Sequence, residues 1–112
     1  MNTFFIPAYD VETRRESVET CPKIAEIHRK MEIPATFFVV GIRLEEEGEQ
    51  FRAVLGDPLF EIGSHTYSHK MLRDHPFCGP AAPPDVIRTE IWKGKELVEK
   101  VFERPCIGLR PG

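Results

Sequence analysis

The chain has 112 residues, 41% of them apolar, and 15 basic against 18 acidic residues leave a net charge of -3. That length fits one domain, or part of one, burying about two-thirds of its unfolded surface. The nearly balanced charge does not suggest a nucleic-acid-binding face, and no apolar run approaches the ~20 residues of a membrane span. Thr3-Phe4-Phe5-Ile6 is too short an apolar core for a secretion signal and no basic region precedes it. Cys21, Cys78 and Cys106 are odd in number, far apart and in no C-x-x-C spacing. Free thiols in a reducing, cytoplasmic compartment are therefore expected, and a structural metal knuckle is not.

The first element, Thr3 to Tyr9, is aromatic and β-branched enough for a buried strand, with Pro7 marking a bulge or an early end. It runs into Asp10-Val11-Glu12, where an extended chain turns positions 10 and 12 the same way. Two carboxylates at a strand end are, by themselves, ordinary solvated loop residues. Thr20 as N-cap and Pro22 in the first turn open a helix whose apolar stripe is Ile24, Ile27 and Met31. His28 beside that stripe reads as a packed or surface histidine. Glu32-Ile33-Pro34 closes the helix.

Ala35 to Gly41 is the strongest strand signal, continuously apolar as in a parallel strand buried on both faces. A more polar helix is expected over Leu44 to Leu55, with Glu45-Glu46-Glu47 as its solvated face. Gly56-Asp57-Pro58 then turns the chain into a short strand, Leu59-Phe60-Glu61-Ile62. Residues 74–84, rich in proline and containing Gly79, exclude regular structure, and His75 within them matches no ligand pattern. A third helix starts at Asp85 or at the prolines before it, with Ile87, Ile91, Leu97, Val98, Val101 and Phe102 on its apolar side, Gly94 as a mild interruption and Trp92 in the core. Arg104-Pro105 ends it, and Cys106 to Leu109 reads as a fourth strand running into Arg110-Pro111-Gly112.

The order is β-α-β-α-β-loop-α-β, an α/β architecture of parallel strands joined by helical crossovers. In such folds sites assemble at the C-terminal ends of strands. There the chain places Asp10 and Glu12, then His65 and His69, then Arg110. Two histidines four residues apart share one side of the backbone in a helix or a strand, and imidazoles with a carboxylate suit zinc and its neighbours. A lone His-x-x-x-His is more often packing or surface. Carboxylates, histidines and an arginine at three separate strand ends make the site reading the stronger one.

Ala35-Thr36-Phe37-Phe38-Val39-Val40-Gly41, Glu61-Ile62-Gly63-Ser64-His65-Thr66-Tyr67-Ser68-His69 and Leu109-Arg110-Pro111-Gly112 resemble successive motifs of the polysaccharide deacetylases. The resemblance covers essentially the whole chain. It implies parallel β/α repeats forming the first half of an irregular (β/α)7-type barrel, so residues 1–112 are expected to be a single, truncated catalytic domain. It also implies a divalent metal, zinc first, with cobalt, nickel or iron as other candidates.

By this resemblance His65 and His69 match the two histidine ligands, and Arg110 matches the arginine that holds the catalytic aspartate. Thr66 and Ser68 match loop-stabilising hydroxyls, and the backbone of Tyr67 belongs to the loop framing the metal. Most members carry adjacent aspartates on the first strand, where this chain has Val11 after Asp10. In relatives with an Asp-x-Asp pair the roles divide, which assigns Asp10 as general base and Glu12 as third ligand. The implied reaction is metal-dependent removal of acetyl groups from N-acetylated sugars. A small cyclic amide or imide of the allantoin type is the alternative substrate, and a non-catalytic metal-binding remnant the alternative role. The histidine that serves the family as general acid lies in a later motif than any present here. An unpaired final strand would favour self-association into a homo-oligomer.

Overall fold

The computed structural model describes residues 2–112. Its sheet has three parallel strands in the order β1 (Ala8–Val11), β2 (Ala35–Val39), β3 (Phe60–Ser64). Three helices accompany it: α1 (Cys21–Met31), α2 (Gly41–Leu55) and α3 (Pro84–Phe102). The parallel α/β order expected from the sequence is therefore present through the third helix.

The core lies between one face of the sheet and the helices. Val11, Phe37, Val39 and Ile62 from the strands meet Ala25, Leu44, Phe51, Leu55 and Val98 from the helices. β2 alternates, with Ala35, Phe37 and Val39 buried and Thr36 and Phe38 only partly so. Its apolar run is thus not buried equally on both faces. Phe38 belongs to the face that carries the polar strand ends.

Several expectations are corrected. β1 begins at Ala8, and Phe4, Phe5 and Ile6 are exposed. β2 starts only at Ala35 and pairs with Ala8 onward; Pro7, which lacks an N–H, contributes only its carbonyl to Thr36 N–H at 3.0 Å. Thr20 makes no side-chain cap, because the chain is already wound as a π-helical turn over Glu16–Thr20 that leads straight into α1. The buried face of α1 is Cys21, Ala25 and His28, while Ile27 and Met31 are exposed. α2 begins at Gly41, three residues early.

Glu47 leaves the solvated face. The backbone of α2 departs from helical geometry there (φ -131°, ψ 27°), and the side chain is 8% exposed beside Arg43 and Arg14. Trp92 is 59% exposed rather than in the core. The third strand runs two residues further than expected, to Ser64.

The fourth strand does not form. Cys106 to Leu109 makes one isolated parallel bridge, Ser64 to Leu109, held by Ser64 N–H to Gly108 O and Arg110 N–H to Ser64 O, each 2.9 Å. Pro105 and Pro111 bracket the segment without donors, and Ile107 and Leu109 are exposed, so no second ladder stabilises it.

Candidate functional site

Strand register puts the polar residues in rows. Asp10, Phe38 and Gly63 are paired across the sheet, and continuing that register two residues puts Glu12, Val40 and His65 in one row. Alternate residues share a face. Val11, between the two carboxylates, therefore turns into the core, where it is buried. A Cβ on Gly63 would lie 2.6 Å from the Phe38 ring, so only glycine lets that ring lie across the sheet. The Arg110 guanidinium sits over the same ring, 4.4 Å from its centroid, and its Nη1 donates to Asp10 Oδ1 at 2.8 Å.

Glu12 has different partners. Its Oε1 lies 3.1 Å from His65 Nε2 and 3.2 Å from His69 Nε2. These three side chains offer donor atoms all within 4.8 Å of one another, the only such histidine, cysteine and carboxylate group among the described residues. His65 is buried, and its Nδ1 is 2.7 Å from the carbonyl oxygen of Arg110. A carbonyl only accepts, so Nδ1 carries a proton and Nε2 is the ring nitrogen turned toward Glu12. Arg110 thus serves twice, its side chain on Asp10 and its backbone on His65.

His69 sits on a tightly wound loop. Thr66 (φ 65°) and His69 (φ 62°) are both left-handed, a conformation that side chains adopt only when the surroundings dictate it. Thr66 Oγ1 accepts from His69 N–H at 3.2 Å. The first free N–H groups of α2, on Gly41 and Ile42, donate to the carbonyls of Thr66 and Tyr67, each at 2.9 Å. Gly112 passes over the His69 ring, where a Cβ would come within 2.8 Å of Nε2.

Sequence reasoning missed the side of this loop that α3 holds. Glu90 O accepts from Tyr67 N–H at 2.9 Å, and its carboxylate accepts from the backbone N–H and hydroxyl of Ser68. A Cβ on Gly94 would lie 2.5 Å from Ser64 Oγ and 2.9 Å from the Thr66 carbonyl carbon, so that glycine is what allows the close approach. Glu90, Gly94, Val98 and Phe102 form the buried ridge of α3 at four-residue spacing. An acidic residue in register with Val98 and Phe102 was the available signal.

The other candidates stay apart. His28 is fixed between Tyr9, whose hydroxyl donates to Nε2 at 2.8 Å, and the Ile33 carbonyl, 2.8 Å from Nδ1. His75 Nδ1 accepts the backbone N–H groups of Phe77 and Cys78 in its own loop. All three cysteines are free, and burial, helped by Glu16, pushes the Cys21 thiol up to about 12. No helix among the described residues is long and apolar enough to cross a membrane.

A profile of the polysaccharide deacetylase family matches residues 8–112. A peptidoglycan-N-acetylglucosamine deacetylase of Bacillus cereus is 26% identical over 91 residues, covering 81% of this chain and 39% of that protein. Among solved structures, a family 4 carbohydrate esterase of Bacillus anthracis superimposes with a TM-score of 0.75 at 24% identity, covering 95% of this chain and 47% of that one. A CE4 family pseudoenzyme from the same organism gives a TM-score of 0.77 at 22% identity, covering 96% and 34%. The chain thus spans less than half the length of each, and the structural likenesses establish the fold. With its parallel β/α order and its family profile in agreement, the chain belongs to the polysaccharide deacetylase family.

Proposed function

We propose that this chain carries the metal site and the general base of a hydrolase that removes acetyl groups from N-acetylated sugars. Glu12, His65 and His69 are the ligands, Asp10 is the base, and Arg110 positions it. Residues 1–112 are read as one domain that supplies this part of the site.

The observation that carries the proposal is the approach of Glu12 Oε1 to two imidazole nitrogens at 3.1 and 3.2 Å. With Nδ1 of His65 committed to a carbonyl, Nε2 is the nitrogen left to face the carboxylate, and it converges with Glu12 and His69 on one point that a cation could occupy. Zinc with nitrogen and oxygen ligands at 2.0–2.2 Å in a tetrahedron has ligand-to-ligand edges of about 3.3 Å. The donor set therefore fits zinc, and the same donors suit cobalt, nickel or iron. Such an ion, when bound, supplies Lewis acidity for activating water and polarising an amide carbonyl.

The remaining steps belong to the chain. Asp10, held by Arg110 from the opposite side of the sheet row, accepts the proton of the attacking water. The Arg110 guanidinium, resting on Phe38, limits the rotamers open to Asp10. The carbonyl of Arg110 keeps the His65 ring oriented. The relatives named above are a peptidoglycan deacetylase and a carbohydrate esterase, which favours an N-acetylated saccharide over a cyclic amide.

The test has two arms. Zinc or cobalt binding is titrated in the wild type, His65→Ala, His69→Ala, His28→Ala and His75→Ala. Stoichiometric binding is expected to vanish in the first two variants and persist in the last two. Acetate release from N-acetylglucosamine oligomers is then measured for a polypeptide extended through the rest of the barrel. Equal loss of metal in all four variants refutes the ligand assignment, and inactivity of the metal-loaded extended protein refutes the reaction.

A further inference from the structure

We infer that Glu90, on α3, is a positioning residue that holds His69 in place by clamping the residue before it. The inference rests on the reading of Glu12, His65 and His69 as a metal site.

Glu90 is 2% exposed, yet no arginine, lysine or histidine pairs with it among the described residues. A buried carboxylate without a counter-charge is unfavourable unless hydrogen bonds take the place of water. Both of its oxygens find those bonds on one residue. Oε2 accepts the Ser68 backbone N–H at 2.7 Å, and Oε1 accepts the Ser68 hydroxyl at 2.5 Å. Its own backbone carbonyl accepts Tyr67 N–H at 2.9 Å. One helical residue thus binds two consecutive loop residues through three hydrogen bonds.

The loop needs such a hold. It contains two left-handed non-glycine residues, Thr66 and His69, and His69 itself lies at the strained position. His65 continues β3, with its N–H on the Val39 carbonyl, and its ring is locked by Arg110. His69 is about a third exposed, and its backbone N–H bonds only the Thr66 hydroxyl within the same loop. The hold from outside that loop comes through its neighbour in sequence, Ser68, which Glu90 on α3 binds. A leucine at position 90 would satisfy the apolar ridge of α3 equally well. The carboxylate is explained by the loop.

The experiment measures zinc affinity by chelator competition, and the cobalt absorption spectrum as a report of ligand geometry. The proteins are the full chain as wild type, Glu90→Ala, Glu90→Gln and Ser68→Ala, with circular dichroism and Tm on each. Glu90→Ala is expected to weaken zinc binding roughly 10–100-fold, the range for loss of a group that orients a ligand, and to alter the cobalt spectrum. Glu90→Gln should restore affinity to within about threefold, because a carboxamide can accept the Ser68 N–H and donate to its hydroxyl. Ser68→Ala keeps the backbone clamp and should lose a smaller factor, which supports the inference even if Glu90→Ala fails to fold. Wild type without stoichiometric zinc overturns the metal reading itself. Wild type that binds while Glu90→Ala and Ser68→Ala bind equally well overturns the role of Glu90 alone, as does a loss that Glu90→Gln fails to rescue.

Discussion

Neutralising the two carboxylates of the first strand one at a time separates their roles. Glu12→Gln keeps shape and volume but removes the charge from an oxygen that lies 3.1 and 3.2 Å from two imidazole nitrogens. Loss of an outer-shell partner already costs roughly 10–100-fold in metal affinity, so loss of one ligand in three should exceed ~100-fold. Asp10→Asn leaves an oxygen to accept from Arg110 Nη1, and both side chains of that pair are more than a third exposed. Screening limits an exposed ion pair to about 0–1 kcal/mol, so metal affinity and Tm should hardly change. Turnover should fall by roughly 10²–10⁴, the contribution of a general base. Zinc affinity is read by chelator competition on this chain, and turnover as acetate release by a polypeptide extended through the barrel. Metal lost in Asp10→Asn and kept in Glu12→Gln would reverse the assignment and refute the reasoning.

Gly94→Ala places a methyl group 2.5 Å from Ser64 Oγ and 2.9 Å from the Thr66 backbone. Overpacking of about 1–3 kcal/mol against a helix-propensity gain of roughly 1 kcal/mol predicts a net loss of stability, and a fall in Tm of about 5–10 °C. Gly48→Ala, whose Cβ meets only Val101 methyl groups, at 3.0 and 3.8 Å, should change Tm much less; equal effects would mean that α3 does not pack closely on the loop. For residues 1–112 alone, acetate release should be at least ~100-fold slower than for the extended polypeptide, because a leaving amine needs a proton and a general acid contributes roughly 10²–10⁴-fold. Of the four histidines, His28 and His75 are already engaged in local hydrogen bonds, and His65 and His69 face Glu12. Turnover within about tenfold would mean that one of them supplies the proton.

The sequence by itself determined the parallel β/α order, because β2 and β3 are short apolar runs bounded by turn residues and separated by a helix-length segment. It also determined that Asp10 and Glu12 share a face, since strand periodicity is a property of the backbone alone. The family was legible in the histidine segment and in the Arg110-Pro111-Gly112 stretch, where the profile match and the motif coincide. Only tertiary structure decided which apolar residues are covered. Phe4, Ile27, Met31 and Trp92 look like core in composition and are exposed, while the polar His28, Glu47 and Glu90 are buried. Hydrophobicity is a property of a side chain, but burial is a property of what stands opposite it. The partners of these three buried residues come largely from other elements, Tyr9 for His28, Arg14 for Glu47 and Ser68 for Glu90. The same reason ended the fourth strand: Cys106 to Leu109 has the residues of a strand, but a strand exists only where a neighbour supplies the ladder, and beyond Ser64 it finds one bridge.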